Sequence, residues 1–131
     1  MAGKGKAVHA GDNLVQRVVA LAHSLGLETK EQFKAGRRVW GAERAIDVVL
    51  IEKSTRKILG IECKFQAGPG SADEKIPTTI KDIEVWPIPG LVVLDGGGFS
   101  PNMRSYLIST GKAVEFQDLE NWLRLFFGLG L

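Results

Sequence analysis

The chain has 131 residues, 44% of them apolar and 24% charged, with a net charge of +2. That is the balance of one ordinary globular domain, long enough to bury a real core, and it excludes a low-complexity or fibrous chain. No apolar run approaches membrane-spanning length, and the start, Met1-Ala2-Gly3-Lys4-Gly5-Lys6, lacks the apolar stretch of a secretion signal. The single cysteine, Cys63, has no partner within the chain and fits a reducing compartment, so a cytoplasmic protein is expected. Charge is unevenly spread. Residues 1–45 carry eight Lys/Arg against four acids, while residues 46–131 carry nine against eleven. The first third can therefore offer a phosphate-facing surface.

Residues 1–10, rich in Gly, Ala and Lys, read as a disordered lead-in, and residues 11–131 as one domain. Leu14, Val15, Val18, Val19, Leu21, Ala22 and Leu25 follow helical spacing, with Asp12 or Asn13 as cap and Gly26 as stop. A short extended segment is expected around Glu28–Phe33. The stretch Lys34-Ala35-Gly36-Arg37-Arg38 then reads as an exposed basic turn.

Two apolar strands come next, Ala45–Ile51 and Ile58–Phe65, joined by Lys53-Ser54-Thr55-Arg56. If Ser54-Thr55 forms a two-residue turn, Glu52 faces Lys57, Ile51 faces Ile58 and Asp47 faces Glu62. The two carboxylates then sit about 5 Å apart at their Cβ atoms. Lys64 and Gln66 follow on the same face by alternation. Neither turn residue is a favoured hairpin type, and a longer turn is the alternative. Beyond the hairpin, Gln66–Lys75 reads as a loop and Pro77 as the first residue of a short helix through Ile80 and Ile83. Leu91–Leu94 reads as a third buried strand, ended by Asp95-Gly96-Gly97-Gly98. Pro101 to about Ile108 is a helix, Ala113–Phe116 a short strand, and Leu119, Trp122, Leu123, Phe126 and Phe127 mark a closing amphipathic helix. This order describes an α/β sheet with helical cover.

Asp47, Glu62 and Lys64 stand out because charges inside apolar strands are costly unless paired or bound to a metal. Two carboxylates suit Mg²⁺, which keeps several waters and leaves room for a phosphate oxygen. The backbone carbonyl of Cys63 is a further oxygen donor. Lys64 beside them can orient a water or stabilise charge on a phosphoryl group. The chain has only two histidines, His9 and His23, far from the acids in sequence, so no zinc pattern emerges.

Asp47 with Glu62-Cys63-Lys64, on a hairpin behind an N-terminal helix, resembles the PD-(D/E)XK nuclease superfamily. Its members include type II restriction enzymes, Holliday junction resolvases and homing endonucleases. The resemblance covers roughly residues 10–95. It implies a restriction-endonuclease-like fold, a mixed central sheet flanked by helices, and a Mg²⁺-dependent DNA endonuclease in which Mn²⁺ can substitute. By the same resemblance Asp47 and Glu62 hold the metal, Lys64 is catalytic, and Gln66 matches a glutamine found at the site in several branches. Lys75 matches a further lysine that approaches the substrate. Two positions depart from the pattern. Ile46 stands where the motif has proline, and the first helix has no glutamate at the usual inward position, with Asn13 or Gln16 as substitutes. Arg37, Arg38, Arg44 and Lys34 are the expected DNA-backbone contacts. One such site per chain implies a homodimer or higher symmetric assembly for cutting two strands, in a bacterial or phage-encoded protein. A junction-selective nuclease and a non-catalytic DNA-binding module on the same fold are the alternatives.

Overall fold

The computed structural model describes the backbone of residues 2–37, 43–68 and 72–131, and the side chains of residues 13–35, 45–68 and 77–131. Its elements run α1 (Ala2–Ser24), β1 (Glu28–Arg37), β2 (Glu43–Glu52), β3 (Lys57–Phe65), α2 (Ala72–Glu84), β4 (Gly90–Asp95), α3 (Pro101–Ser109), β5 (Ala113–Glu115) and α4 (Phe116–Phe127). The five strands lie side by side in chain order. β1, β2 and β3 pair antiparallel, and β3, β4 and β5 pair parallel. This is the expected mixed sheet with helical cover.

Each face of the sheet buries its own core. On one side Leu14, Val18, Val19 and Ala22 of α1 and Leu119, Leu123 and Phe127 of α4 pack on Val48, Leu50, Leu59, Ile61, Leu91, Val93 and Val114. On the other, Ile80 and Ile83 of α2, Trp86 and Leu107 of α3 pack on Ile46, Val49, Val92, Leu94 and Ala113. β4, paired parallel on both sides, carries apolar side chains on both faces, Leu91 and Val93 in one core and Val92 and Leu94 in the other. Trp86 lies so close over β3 and β4 that a Cβ at Gly60 would stand 2.7 Å from its ring, and one at Gly90 2.9 Å. Only glycine admits the ring there.

Three elements differ from expectation. β1 continues to Arg37, so Lys34 and Arg37 belong to an edge strand and not to a turn. The lysines and arginine of this segment keep an unpaired edge charged, which explains how so polar a stretch forms a strand. α1 is helical from Ala2, ahead of the cap expected at Asp12 or Asn13. α2 begins at Ala72, which puts Pro77 inside the helix and not at its first position. Ala, Glu and Lys upstream of the proline are strong helix formers and carry the helix back one more turn. The closing helix, the Pro101 helix and the third buried strand lie where the sequence places them.

The hairpin register is the expected one: Glu52 faces Lys57, Ile51 faces Ile58, and pairing continues to Val48 opposite Ile61. The turn is the longer alternative, Lys53 to Arg56, with Arg56 in the left-handed region at φ 63°. The Glu52 carboxylate organises it. Its oxygens accept from the Ser54 amide at 3.2 Å, the Thr55 amide at 2.8 Å and both hydroxyls at 2.7 Å. These donors stabilise the charged form and hold the Glu52 carboxyl down to about 2, the Thr55 hydroxyl contributing most. A lowered carboxyl pKa means that this stabilisation is complete above the ordinary Glu pKa and is lost as pH falls towards 2. Glu52→Gln should therefore lower the urea midpoint at pH 7, and the two proteins should converge at pH 2. Parallel urea titrations at the two pH values check this.

Candidate functional site

The strand pairing gathers one end of the sheet. The C-terminal ends of β1, β3, β4 and β5 and the start of β2 all meet there; Lys34, Arg37, Arg44, Asp47, Glu62, Cys63 and Lys64 lie on these segments, with Gln66 just beyond β3. Asp47 is the hinge of the arrangement. The β2–β3 ladder stops at Val48 and Ile61, one step short of the expected Asp47–Glu62 pair. Asp47 instead turns its carboxylate to the neighbouring strand, where Oδ2 accepts from the Cys63 amide at 2.9 Å. A side chain here does the work of a backbone carbonyl.

The reason lies in the twist of β2. Val49 and Ile46 both enter the core under α2 and α3, although strict alternation would send them to opposite faces. Val48 and Leu50 enter the other core. The strand therefore rotates about Asp47. β1 does the same directly opposite. Gln32 takes φ 50°, and Lys30 and Phe33 line the same apolar hollow although three residues apart. A left-handed backbone costs a residue other than glycine about 1–2 kcal/mol. Register is kept on both sides of this point, Glu31 to Val48 and Phe33 to Ile46, so no residue is inserted.

β3 presents the rest. The Gly60 and Gln66 amides donate to Pro89 and Asp95 of the β4 side. By alternation the Cys63 amide and carbonyl both point back towards β2. The Cys63 carbonyl thus reaches the edge where Asp47 sits, and Glu62 and Lys64, both half-buried, flank it. Burial pushes the Cys63 thiol up, and the Asp47 and Glu62 charges push it further, against the opposing influence of Lys64. A thiol so raised is protonated and is no nucleophile.

Gln66 closes the row. It is 7% exposed, and its amide donates to the Gly98 carbonyl at 2.9 Å. The Gly98 amide in turn donates to the Gln66 carbonyl at 2.8 Å. The glycine run is therefore packed on the end of β3. Gly96 holds φ 94°, and a Cβ on Gly98 would meet the backbone of Gly68 and stand 2.7 Å from the Gln66 carbonyl oxygen. Beside this turn is an open pocket of about 280 Å³ lined by Asp95, Gly96, Gly97, Arg104 and Glu115. Its charges are already matched, Arg104 with Glu115 at 2.8 Å and Arg17 with Asp95. Arg17 also stacks 4.1 Å above the Phe116 ring and ties α1 to this end of the sheet.

Of the residues expected to meet DNA, Lys34 and Arg37 lie on β1 opposite Ala45 and Glu43, on the strand flank of Asp47. Arg38 and the side chains of Arg37, Arg44 and Lys75 lie outside the described residues. Gln16, the possible stand-in for a helix glutamate, donates its amide to Glu31 of β1 at 2.9 Å. His23 contacts Thr29 Oγ1 at 3.0 Å, far along the chain from the acids. Gln32 went unnoticed in the sequence, since only the β1–β2 register brings it opposite Asp47. Among the described residues no three His, Cys, Asp or Glu side chains gather as a metal cluster. The donor set is two carboxylates and main-chain oxygen, which fits a hard, largely hydrated cation such as Mg²⁺.

A family model for the PD-(D/E)XK nuclease superfamily domain matches residues 6–124. The chain belongs to the PD-(D/E)XK nuclease superfamily. A crystal structure described as "Protein of Unknown Function AF1548" has a similar fold, with a TM-score of 0.54 and 22% sequence identity. The match covers 79% of this chain and 56% of that one, so this chain spans little more than half of that protein. No curated protein matches the chain. No helix among the described residues is long and apolar enough to cross a membrane.

The packing of the glycine run sets a test for this nuclease-superfamily domain. Gly98→Ala forces backbone against backbone and should cost about 1–3 kcal/mol of stability, the range for overpacking. Gly97→Ala, with open space around its Cβ position, serves as the control. Urea denaturation of the two variants gives the comparison.

Proposed function

We propose that this chain is a divalent-cation-dependent endonuclease that hydrolyses DNA phosphodiester bonds, with Mg²⁺ as the cation and Mn²⁺ able to replace it. The observation that carries this reading is the Asp47 carboxylate held against the Cys63 amide at the open end of a superfamily hairpin, with Glu62 and Lys64 beside it. A bound divalent cation supplies charge stabilisation at the phosphoryl oxygens and lowers the pKa of a water. Asp47, Glu62 and the Cys63 carbonyl are the oxygens that would hold it.

The remaining chemistry belongs to the chain. Lys64 places its ammonium next to the acids, where it orients the attacking water and meets the negative charge that builds on the phosphoryl group. A 3′-hydroxyl leaves. Gln66 holds the end of β3 in place through Gly98, and so fixes where Lys64 stands. Lys34, Arg37, Arg38, Arg44 and Lys75 contact flanking phosphates, which sets the position of the duplex and not its sequence preference. A homodimer or higher symmetric assembly brings two such sites to the two strands. A structure-selective enzyme of the junction-resolving kind fits the compact chain as well as a duplex cutter does.

Purified protein incubated with plasmid, linear duplex and a four-way junction, in Mg²⁺ or EDTA, tests this. Cleavage should require the cation, and Lys64→Ala should slow it by about 10²–10³-fold, the loss seen when one charge-stabilising group is removed. Tight binding to all three substrates with no cleavage would overturn the reading in favour of a non-catalytic DNA-binding module. The substrate cut fastest identifies the class.

A further inference from the structure

We propose that Gln32 is a positioning residue for Asp47, and that the left-handed backbone at Gln32 exists to aim its amide at that carboxylate. The inference begins with a conflict. Gln32 lies within a ten-residue strand, yet its φ is 50°, a conformation that glycine adopts freely and glutamine does not. Register is the same at Glu31–Val48 and Phe33–Ile46, and the shift in this strand pair comes only between Lys34 and Arg37, so no inserted residue accounts for the departure at Gln32. Strain held at a point where the register is unbroken points to a job for the side chain.

The side chain meets Asp47. Gln32 Nε2 stands 3.4 Å from Asp47 Oδ1, while Oδ2 accepts from the Cys63 amide at 2.9 Å. The two carboxylate oxygens are thus approached by donors from the two neighbouring strands, β1 on one side and β3 on the other. The Cys63 bond is short and fixes one oxygen. The Gln32 contact is longer and approaches the other oxygen, so the two donors together orient the carboxylate, and Oδ1 keeps a lone pair for another partner. Glu31, next in the chain, is held from α1 by Gln16 at 2.9 Å, which braces the strained point from behind. Partners of this kind commonly matter as much as the groups they orient.

Gln32→Gly and Gln32→Asn are the informative variants. Glycine accepts the backbone without strain, and asparagine tolerates it better than most residues while falling one methylene short. Both should fold with thermal stability equal to or above that of the native protein. The primary readout needs no catalysis: amide hydrogen exchange at Cys63, followed by NMR. Its exchange should quicken in both variants, by up to about tenfold, the effect of weakening one hydrogen bond. The Ile61 and Phe65 amides, on the same edge of β3, should not change. A Cys63 amide that exchanges as in the native protein, in a folded Gln32→Gly, overturns the proposal.

The second arm rests on the nuclease reading. Cleavage by both variants should fall by about tenfold or more through kcat, with KM for DNA little changed. Native rates in a variant whose Cys63 amide has loosened would also overturn the proposal. Absence of cleavage by the native protein sinks the nuclease reading alone, and the exchange measurement then decides the role of Gln32.

Discussion

One hydrogen bond organises the functional end of this molecule: the Asp47 carboxylate accepting from the Cys63 amide. A strand ladder continues as long as each amide finds a carbonyl across from it. Here the carbonyl is replaced by a side chain, and β2 and β3 stop pairing without leaving the Cys63 donor unsatisfied. The exchange ends the pairing at Val48 and Ile61 and keeps Asp47 against β3, next to Glu62, Lys64 and the Cys63 carbonyl along that strand. Without the carboxylate, a part-buried amide would lack a partner, at a cost of about 1–3 kcal/mol. Stability and the proposed chemistry therefore rest on the same group.

The supporting interactions are arranged around that bond. Arg17 crosses from α1 to Asp95 and stacks on Phe116, which joins the first helix, β4 and the last helix at the same end of the sheet. Gln66 and Gly98 clasp the ends of β3 and β4 through a buried amide and two main-chain bonds. Arg104 and Glu115 neutralise one another beside the glycine turn. These paired charges lie beside the neighbouring edge, where Asp47, Glu62 and Lys64 all stand within electrostatic reach of Cys63. The opposite end of the hairpin is a separate matter, held by the Glu52 carboxylate among the Ser54 and Thr55 donors.

The hairpin register was legible because the short connection between Glu52 and Lys57 sets it, placing Glu52 opposite Lys57 and Ile51 opposite Ile58. The pairing stops before the expected Asp47–Glu62 pair. What the pattern could not convey is the rotation of β2 about Asp47, because Ile46 and Val49 are both apolar and either face would accept them. β1 was under-read for a different reason. Its Lys and Glu residues look like a solvated loop, and only pairing with β2 makes them an edge strand. Gln32 was invisible for the same cause, since its neighbour is set by a ladder and not by local sequence. Pro77 misled through a rule that holds for helix starts but not for a helix extended upstream by Ala72 to Ile76.

The proposed divalent-cation site of Asp47 and Glu62 lies where the β2–β3 pairing ends. Paramagnetic broadening by Mn²⁺ tests it directly, with backbone amide resonances observed during a Mn²⁺ titration. Selective loss of signal centred on Asp47, Glu62, Cys63 and Lys64, abolished in Asp47→Asn, is the expected result. Broadening centred on the Asp95–Glu115 pocket or the Glu52 turn, or none at all, would contradict it.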